Sequence, residues 1–264
     1  MKLALLGCGK MGSALLKGIL NKGLVLPADV TLSDPHAPSA TALAAQLPGT
    51  HIATTNLDAA TGAHLVLLCV KPYDIPTVLA ELTTLPQTLL VSIAAGVTLA
   101  KMETILQGTH RLIRVMPNTP ALIGHGASAY ALGTTATEDD AATLHTLLPA
   151  TGTALRVKES LLDAVTGLSG SGPAYVYTII EALSDGGLLM GLSKEQSLLL
   201  AAQTVAGAAA MVLETGLHPA LLRDQVTSPG GTTIAGLAAL ESAGLRHALI
   251  SAVQAATLRA KELG

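Results

Sequence analysis

Three glycines carry the first chemical signal in this chain. Gly7, Gly9 and Gly12 stand in the order GxGxxG, directly after the apolar run Lys2 to Leu6 and at the start of an amphipathic segment over Met11 to Asn21. In a strand-turn-helix, the first glycine permits the tight turn, the second lets a diphosphate approach the backbone, and the third lets helix and strand pack closely. The unpaired amides at the helix start then attract the anion. Leu6, Gly7, Cys8, Gly9, Lys10, Met11 and Gly12 are therefore candidate contacts for a dinucleotide. Two further Gly-rich segments lie downstream, each before a helical stretch: Leu168-Ser169-Gly170-Ser171-Gly172-Pro173-Ala174-Tyr175 and Ser228-Pro229-Gly230-Gly231-Thr232-Thr233. Pro173 suits the first turn of a helix. Successive amides with Ser and Thr hydroxyls make a nest for a small carboxylate, with ~1.5–3 kcal/mol from each charge-assisted hydrogen bond.

Other strand ends point at the same dinucleotide. Ser33-Asp34-Pro35-His36 closes the second strand, where an acidic residue accepts hydrogen bonds from ribose hydroxyls. Asp34 also opposes a 2′-phosphate: at ~5 Å and an effective dielectric of ~20 the repulsion is about 3 kcal/mol per unit charge. No Lys or Arg between Lys22 and Lys71 offsets it. On this local chemistry NADH is favoured over NADPH, although Ser33, His36 and Ser39 are able to hydrogen-bond a phosphate. Cys69-Val70-Lys71-Pro72, Ala94-Ala95-Gly96 and Asn118 follow later strands. In open α/β sheets such carboxyl ends border the ligand crevice. The small residues Ala94 to Gly96 leave room for a nicotinamide, and Lys71 is either a cofactor contact or a solvated charge.

The elements that must hold these groups follow from the apolar pattern. Strands are expected at Lys2 to Leu6, Asp29 to Ser33, His51 to Thr54, Leu65 to Val70, Leu89 to Ile93 and Leu112 to Met116, with helices over Met11 to Asn21 and Ser39 to Leu47. Leu65 to Val70 is apolar without alternation, as in a parallel strand covered on both faces. The succession predicts an α/β fold: an N-terminal Rossmann-type doubly wound sheet over residues 1–158. From 159 to 264 the strand-like runs vanish, and helices are expected over Glu159 to Leu168, Pro173 to Met190, Lys194 to Thr215, Pro219 to Val226 and Thr232 to Leu263, the last breaking near Gly244. Leu198 to Leu213 is apolar almost all round and must be covered on every side. Association with a second subunit is the economical cover.

Composition excludes several classes. Lys and Arg number 15 against 18 Asp and Glu, so no positive excess exists to neutralise a nucleic acid. The mean hydropathy of +0.53 raises the question of a membrane. The long uncharged runs, however, either carry prolines and glycines or, at Ser197 to Leu213, fall short of the ~20 apolar residues a span requires. Met1 to Leu6 leads into Gly7 without a cleavage-site pattern, so a cytoplasmic location is expected. Cys8 and Cys69 adjoin apolar strands and suit plain packing. The eight histidines are scattered singly, and no metal site is expected.

Taken together, the chain resembles pyrroline-5-carboxylate reductases. The resemblance rests on Gly7 to Gly12, Val70-Lys71-Pro72, Ser92 to Val97, Met116-Pro117-Asn118-Thr119-Pro120, Gly167 to Tyr175 and, most specifically, Asp224 to Ile234. It implies reduction of the cyclic imine of 1-pyrroline-5-carboxylate to L-proline by NADPH or NADH, the last step of proline synthesis. It implies that Ser228, Gly230, Gly231, Thr232 and Thr233 hold the substrate carboxylate. The Thr233 hydroxyl matches the position that hydrogen-bonds the ring nitrogen and is the one catalytic candidate, while Asn56 matches a contact to the adenosine part of the cofactor. It further implies a homodimer through an all-α C-terminal domain, in some relatives built into larger rings. A protonated imine is already electrophilic, so the task is mainly to hold it against the nicotinamide and exclude water. This chain departs from many relatives, which read Asn-Arg where it has Ser33-Asp34-Pro35. Two other readings stay open: a two-domain 3-hydroxyacid dehydrogenase, which needs a helix-borne Lys as general acid where this helical interior has none and Lys194 opens a helix at its solvated end, and a non-catalytic NAD(P)H-sensing module.

Overall fold

The computed structural model describes residues 1–264. Its first half alternates strands and helices: β1 (Leu3–Leu6), α1 (Lys10–Asn21), β2 (Val30–Ser33), α2 (Ala37–Gln46), β3 (His51–Ile52), α3 (Asn56–Ala60), β4 (Leu65–Leu68), α4 (Ile75–Leu82), β5 (Leu89–Ser92), α5 (Leu99–Leu106) and β6 (Arg111–Met116). Then come β7 (Gly126–Leu132), α6 (Glu138–Leu147) and β8 (Gly152–Arg156). The sheet order is β3-β2-β1-β4-β5-β6-β7-β8, parallel throughout except where β7 runs against β6. The direction of winding reverses at β1, which pairs with both β2 and β4. Ligand crevices form at such a switch point.

Two apolar layers cover the sheet, because successive strand residues face opposite sides. Leu3, Leu5, Leu32, Leu65 and Leu67 pack with Leu15, Leu16 and Ile19 of α1. Ala4, Leu6, Val66, Leu68 and Leu90 pack with Leu79 and Leu82 of α4 and Met102 of α5 on the other face. The unbroken apolar run at β4 is thus explained by burial on both faces. β7 and β8 lie outside the strands expected from sequence. β7, Gly-Ala-Ser-Ala-Tyr-Ala-Leu, is built of small residues without a β-branched side chain, and β8 is a largely exposed edge strand.

The second half is helical: α7 (Leu162–Val165), α8 (Gly172–Leu189), α9 (Lys194–Thr215), α10 (Pro219–Gln225), α11 (Thr232–Ser242) and α12 (Leu245–Leu263). Ser193 caps α9 in a capping box with Gln196. Gly244, at φ +73°, breaks the run from Thr232 to Leu263 where expected. The compact units divide differently from the change in composition near residue 158: one comprises Met1–Ser171 with Gln254–Gly264, the other Gly172–Val253. Side chains explain the difference. Glu159 Oε1 accepts hydrogen bonds from the Leu99 amide at 2.6 Å and from Arg114 at 3.0 Å, and Leu162 lies fully inside the apolar layer on α4 and α5. At the other end, the Lys101 ammonium donates to the Gly264 carbonyl.

α9 has the bounds expected from sequence, Lys194 to Thr215. At 22 residues it is longer than the Ser197 to Leu213 run within it, and by length and composition it is long and apolar enough to cross a membrane. Within one chain it is left uncovered, as a helix awaiting a second subunit is: only Ser197 and Ala201 are buried, whereas Leu199 is 69% and Leu213 81% exposed.

Candidate active site

The sheet register aligns the site. Leu6 pairs with Ser33 and with Leu68, and Leu68 pairs with Ser92, so three strands adjoining the switch point end in one row with β5. The chain leaving each end is hydrogen-bonded to its neighbour: the Gly7 amide donates to Ser33 O at 2.8 Å and the Cys69 amide to Leu6 O at 2.7 Å. Gly7 turns with φ +99°, and a Cβ there would sit 2.6 Å from the Cys69 carbonyl carbon. A Cβ on Gly12 would meet Gly7 O at 2.4 Å and Cys69 Cβ at 2.9 Å, so the third glycine lets α1 close on the strands.

Gly9 is the N-cap of α1, with no side-chain cap and no acidic residue in the first turn. A Cβ on Gly9 would have nothing within 4 Å. Open space above uncapped helix amides is what a diphosphate requires. The residues present therefore fit a dinucleotide.

Beside this loop lies a cavity of about 460 Å³ whose lining includes Ser33, Asp34, Thr54, Thr55, Asn56 and Glu81. Both oxygens of Asp34 are already engaged. Oδ2 accepts from the Cys8 amide at 2.7 Å and Oδ1 from the His36 amide at 2.8 Å, so the residue read from sequence as a ribose contact also braces the glycine turn. The Ser33 hydroxyl donates to Asn56 Oδ1 at 2.9 Å, and Asn56 Nδ2 donates to Glu81 Oε2 at 2.9 Å. Glu81 escaped the sequence reading because nothing in the spacing of an exposed helix residue reveals that α4 brings it to the end of β2. Thr55 caps α3, its hydroxyl accepting from the Asp58 amide at 3.0 Å.

The remaining expected cofactor residues divide. Lys10 and Lys71 are exposed, Lys71 at the head of a short 3-10 turn, and Met11 and Val70 are partly buried. Ala94 is buried, Ala95 is exposed, and Gly96 takes φ +75°. Asn118 is engaged within the chain: Nδ2 donates to Ser169 O at 3.1 Å and Oδ1 accepts from the Ala127 amide at 2.8 Å. That geometry makes it a positioning residue for the Gly-rich segment. Burial pushes the Cys8 thiol up to about 12, aided by the nearby Asp34 carboxylate, and burial likewise raises Cys69. Neutral, buried thiols fit packing rather than catalysis.

The two downstream Gly-rich segments differ from each other. Thr166–Gly170 forms a π-helical turn rather than an open loop, with the Ser171 amide donating to Thr166 O at 2.8 Å, and α8 starts at Gly172. That amide is unavailable to an anion. Ser228 to Gly231 is a true turn. Gly230 has φ +67°, the Gly231 amide donates to Ser228 O at 3.1 Å, and Gly231 caps α11 without a side-chain cap or an acidic residue in the first turn. Thr232 and Thr233 then open the helix, Thr233 half-buried. Ser228, Gly231, Thr232 and Thr233 are thus gathered as expected. Lys194, the acid needed by the 3-hydroxyacid reading, is exposed at the start of α9.

Two family models match separate parts of the chain. Residues 159–263 match the family model for pyrroline-5-carboxylate reductase dimerisation, and residues 2–96 match that for NADP oxidoreductase, coenzyme F420-dependent. A pyrroline-5-carboxylate reductase of Methanosarcina acetivorans is 47% identical over 100% of this chain and 98% of its own length. A solved pyrroline-5-carboxylate reductase from Coxiella burnetii superposes with a TM-score of 0.94 at 36% identity, covering 100% of this chain and 98% of that one. The Plasmodium falciparum pyrroline carboxylate reductase, solved with NADP bound, gives 0.87 at 32% identity with the same coverage. With its whole length matched at such identity, and its dimerisation region matched separately, the chain belongs to the pyrroline-5-carboxylate reductase family.

Proposed function

We propose that this chain reduces 1-pyrroline-5-carboxylate to L-proline. The observation that carries the reading is the start of α11, an uncapped helix end offering amides and the Thr232 and Thr233 hydroxyls, in a chain that also holds a dinucleotide loop. The amides and Ser228 suit a carboxylate, while the Thr233 hydroxyl suits the ring nitrogen of a protonated imine, which donates a hydrogen bond. When bound, the nicotinamide dinucleotide supplies the hydride. The α1 amides at Gly9 to Gly12 bind its diphosphate, and the cavity at Ser33, Asp34 and Asn56 takes its adenosine end.

Of the two dinucleotides, NADH suits this chain better. Asp34 keeps a carboxylate at the cavity, and no Lys or Arg lies between Lys22 and Lys71 to compensate a 2′-phosphate. The dimerisation match makes the protein an oligomer. The reading takes the assembly to be a homodimer formed through α8 to α12.

Oxidation of NADH and of NADPH, followed separately with 1-pyrroline-5-carboxylate and with an open-chain keto acid, tests the assignment. Turnover with the cyclic imine alone is the expected result, with a higher kcat/KM for NADH. Tight dinucleotide binding without turnover would move the chain to the sensing class. Turnover with the open-chain acid would point to another dehydrogenase.

A further inference from the structure

We propose that Glu81 determines which nicotinamide dinucleotide this chain prefers, acting as a second carboxylate at the adenosine end of the cavity. The proposal rests on the reading that this cavity takes the adenosine end, and it adds a residue from α4 that no part of the dinucleotide fingerprint supplies.

An ionised carboxylate only accepts hydrogen bonds, so the contact to Glu81 Oε2 fixes which end of the Asn56 amide faces it: Nδ2 points to Glu81 and Oδ1 to the Ser33 hydroxyl. That relay uses up donors. The Ser33 hydroxyl proton goes to Asn56, one Asn56 N–H goes to Glu81, and the Cys8 and His36 amides go to Asp34. What the lining offers a ligand includes two carboxylates, and it contains no Lys or Arg; its remaining donors are neutral, the Thr54 and Thr55 hydroxyls and the second Asn56 N–H. A ribose 2′-hydroxyl donates and is well matched to such a wall. A 2′-phosphate only accepts at neutral pH, carries close to two negative charges, and finds like charge with no cation to offset it. Glu81 acts twice, once by its own charge and once by holding Asn56 in the orientation that keeps Ser33 engaged.

Titration calorimetry with ADP-ribose and with 2′-phospho-ADP-ribose isolates this end of the cofactor without chemistry. Glu81 is exposed, so Glu81→Gln is expected to fold, which thermal unfolding checks. The expected result is a shift of about tenfold in the ratio of the two dissociation constants toward the phosphorylated ligand, larger for Glu81→Lys. The shift should shrink with added salt. A merely structural role for Glu81 would change both affinities together and leave the ratio within about twofold, which overturns the proposal while leaving the cavity reading intact. If the unsubstituted protein binds neither ligand, the cavity is not the adenosine site, and the reading beneath the proposal falls with it.

Discussion

Gly9 and Gly12 are three residues apart, yet they are glycines for different reasons that separate substitutions can distinguish. At Gly12 a methyl group would press on Gly7 O and Cys69 Cβ at under 3.0 Å, with backbone on one side. Gly12→Ala is expected to lower stability by about 1–3 kcal/mol, as overpacking does, and to show it as a fall in Tm before any ligand is added. Gly9→Ala meets open space, so its Tm should be unchanged or slightly raised. Dinucleotide affinity should nevertheless fall by tenfold or more, because the methyl occupies the approach of the diphosphate. Equal affinity in Gly9→Ala and the unsubstituted chain would remove the diphosphate from this loop. The thiol of Cys8 gives a pH signature at the same place. Its folded value, about 12, lies above that of an unfolded thiol near 9, so the unfolded chain releases the proton first as pH rises. Stability is therefore lost from about pH 9 upward toward 12, and Cys8→Ala should flatten the fall of Tm across that window, on top of a pH-independent lowering from the smaller buried side chain.

At the scale of elements, Asn118 ties the end of β6 to two places, the start of β7 through the Ala127 amide and the π-turn through Ser169 O. It is 7% exposed. Asn118→Ala leaves a part-buried amide without its acceptor, at a cost of about 1–3 kcal/mol. Because its polar atoms are given to the turn before α8 and to β7, turnover should drop while the dinucleotide dissociation constant stays within about threefold. A selective loss of dinucleotide affinity with Tm unchanged would establish the direct contact read from sequence. The difference between the two readings of Asn118 shows what a linear sequence conveys. Strand ends, the glycine spacing and the capping boxes are local, so β1 to β6, α1, α9 and the α11 start were legible within one or two residues. β7 and β8 were not, because β7 carries no β-branched residue and β8, a largely exposed edge strand, carries only Thr153. Glu81, the π-turn and the second engagement of Asp34 depend on contacts 25, 5 and 26 residues apart. Such contacts come from the sheet order and the turn geometry rather than from any periodicity.

For the whole molecule, the decisive feature is the surface of α9. A soluble helix buries an apolar face within its own domain, yet here Leu198, Leu199, Leu200, Met211 and Leu213 are each about half exposed or more, and the helix satisfies the length of a membrane span. Two environments satisfy such a surface, a lipid bilayer or more protein. The capping box at Ser193, the polar Lys194-Glu195-Gln196 turn that follows it, and Gln203 and Thr204 mid-helix favour protein, because each polar group has a cost in hydrocarbon. The family match over 159–263 makes the same choice. Burying a few leucines at about 1.5–3 kcal/mol each is enough to hold two copies together at low concentration. Light scattering during size exclusion, in buffer without detergent, is therefore expected to give a multiple of the chain mass. The pair Leu199→Glu and Leu213→Glu, both on largely exposed positions, should dissociate it to single chains. Those single chains should keep the dinucleotide affinity, because every residue proposed to hold the cofactor lies in the unit containing β1 to β8. Retention of the oligomeric mass in that variant would place the interface off α9. A chain that is recovered only with detergent or vesicles would assign the same surface to lipid.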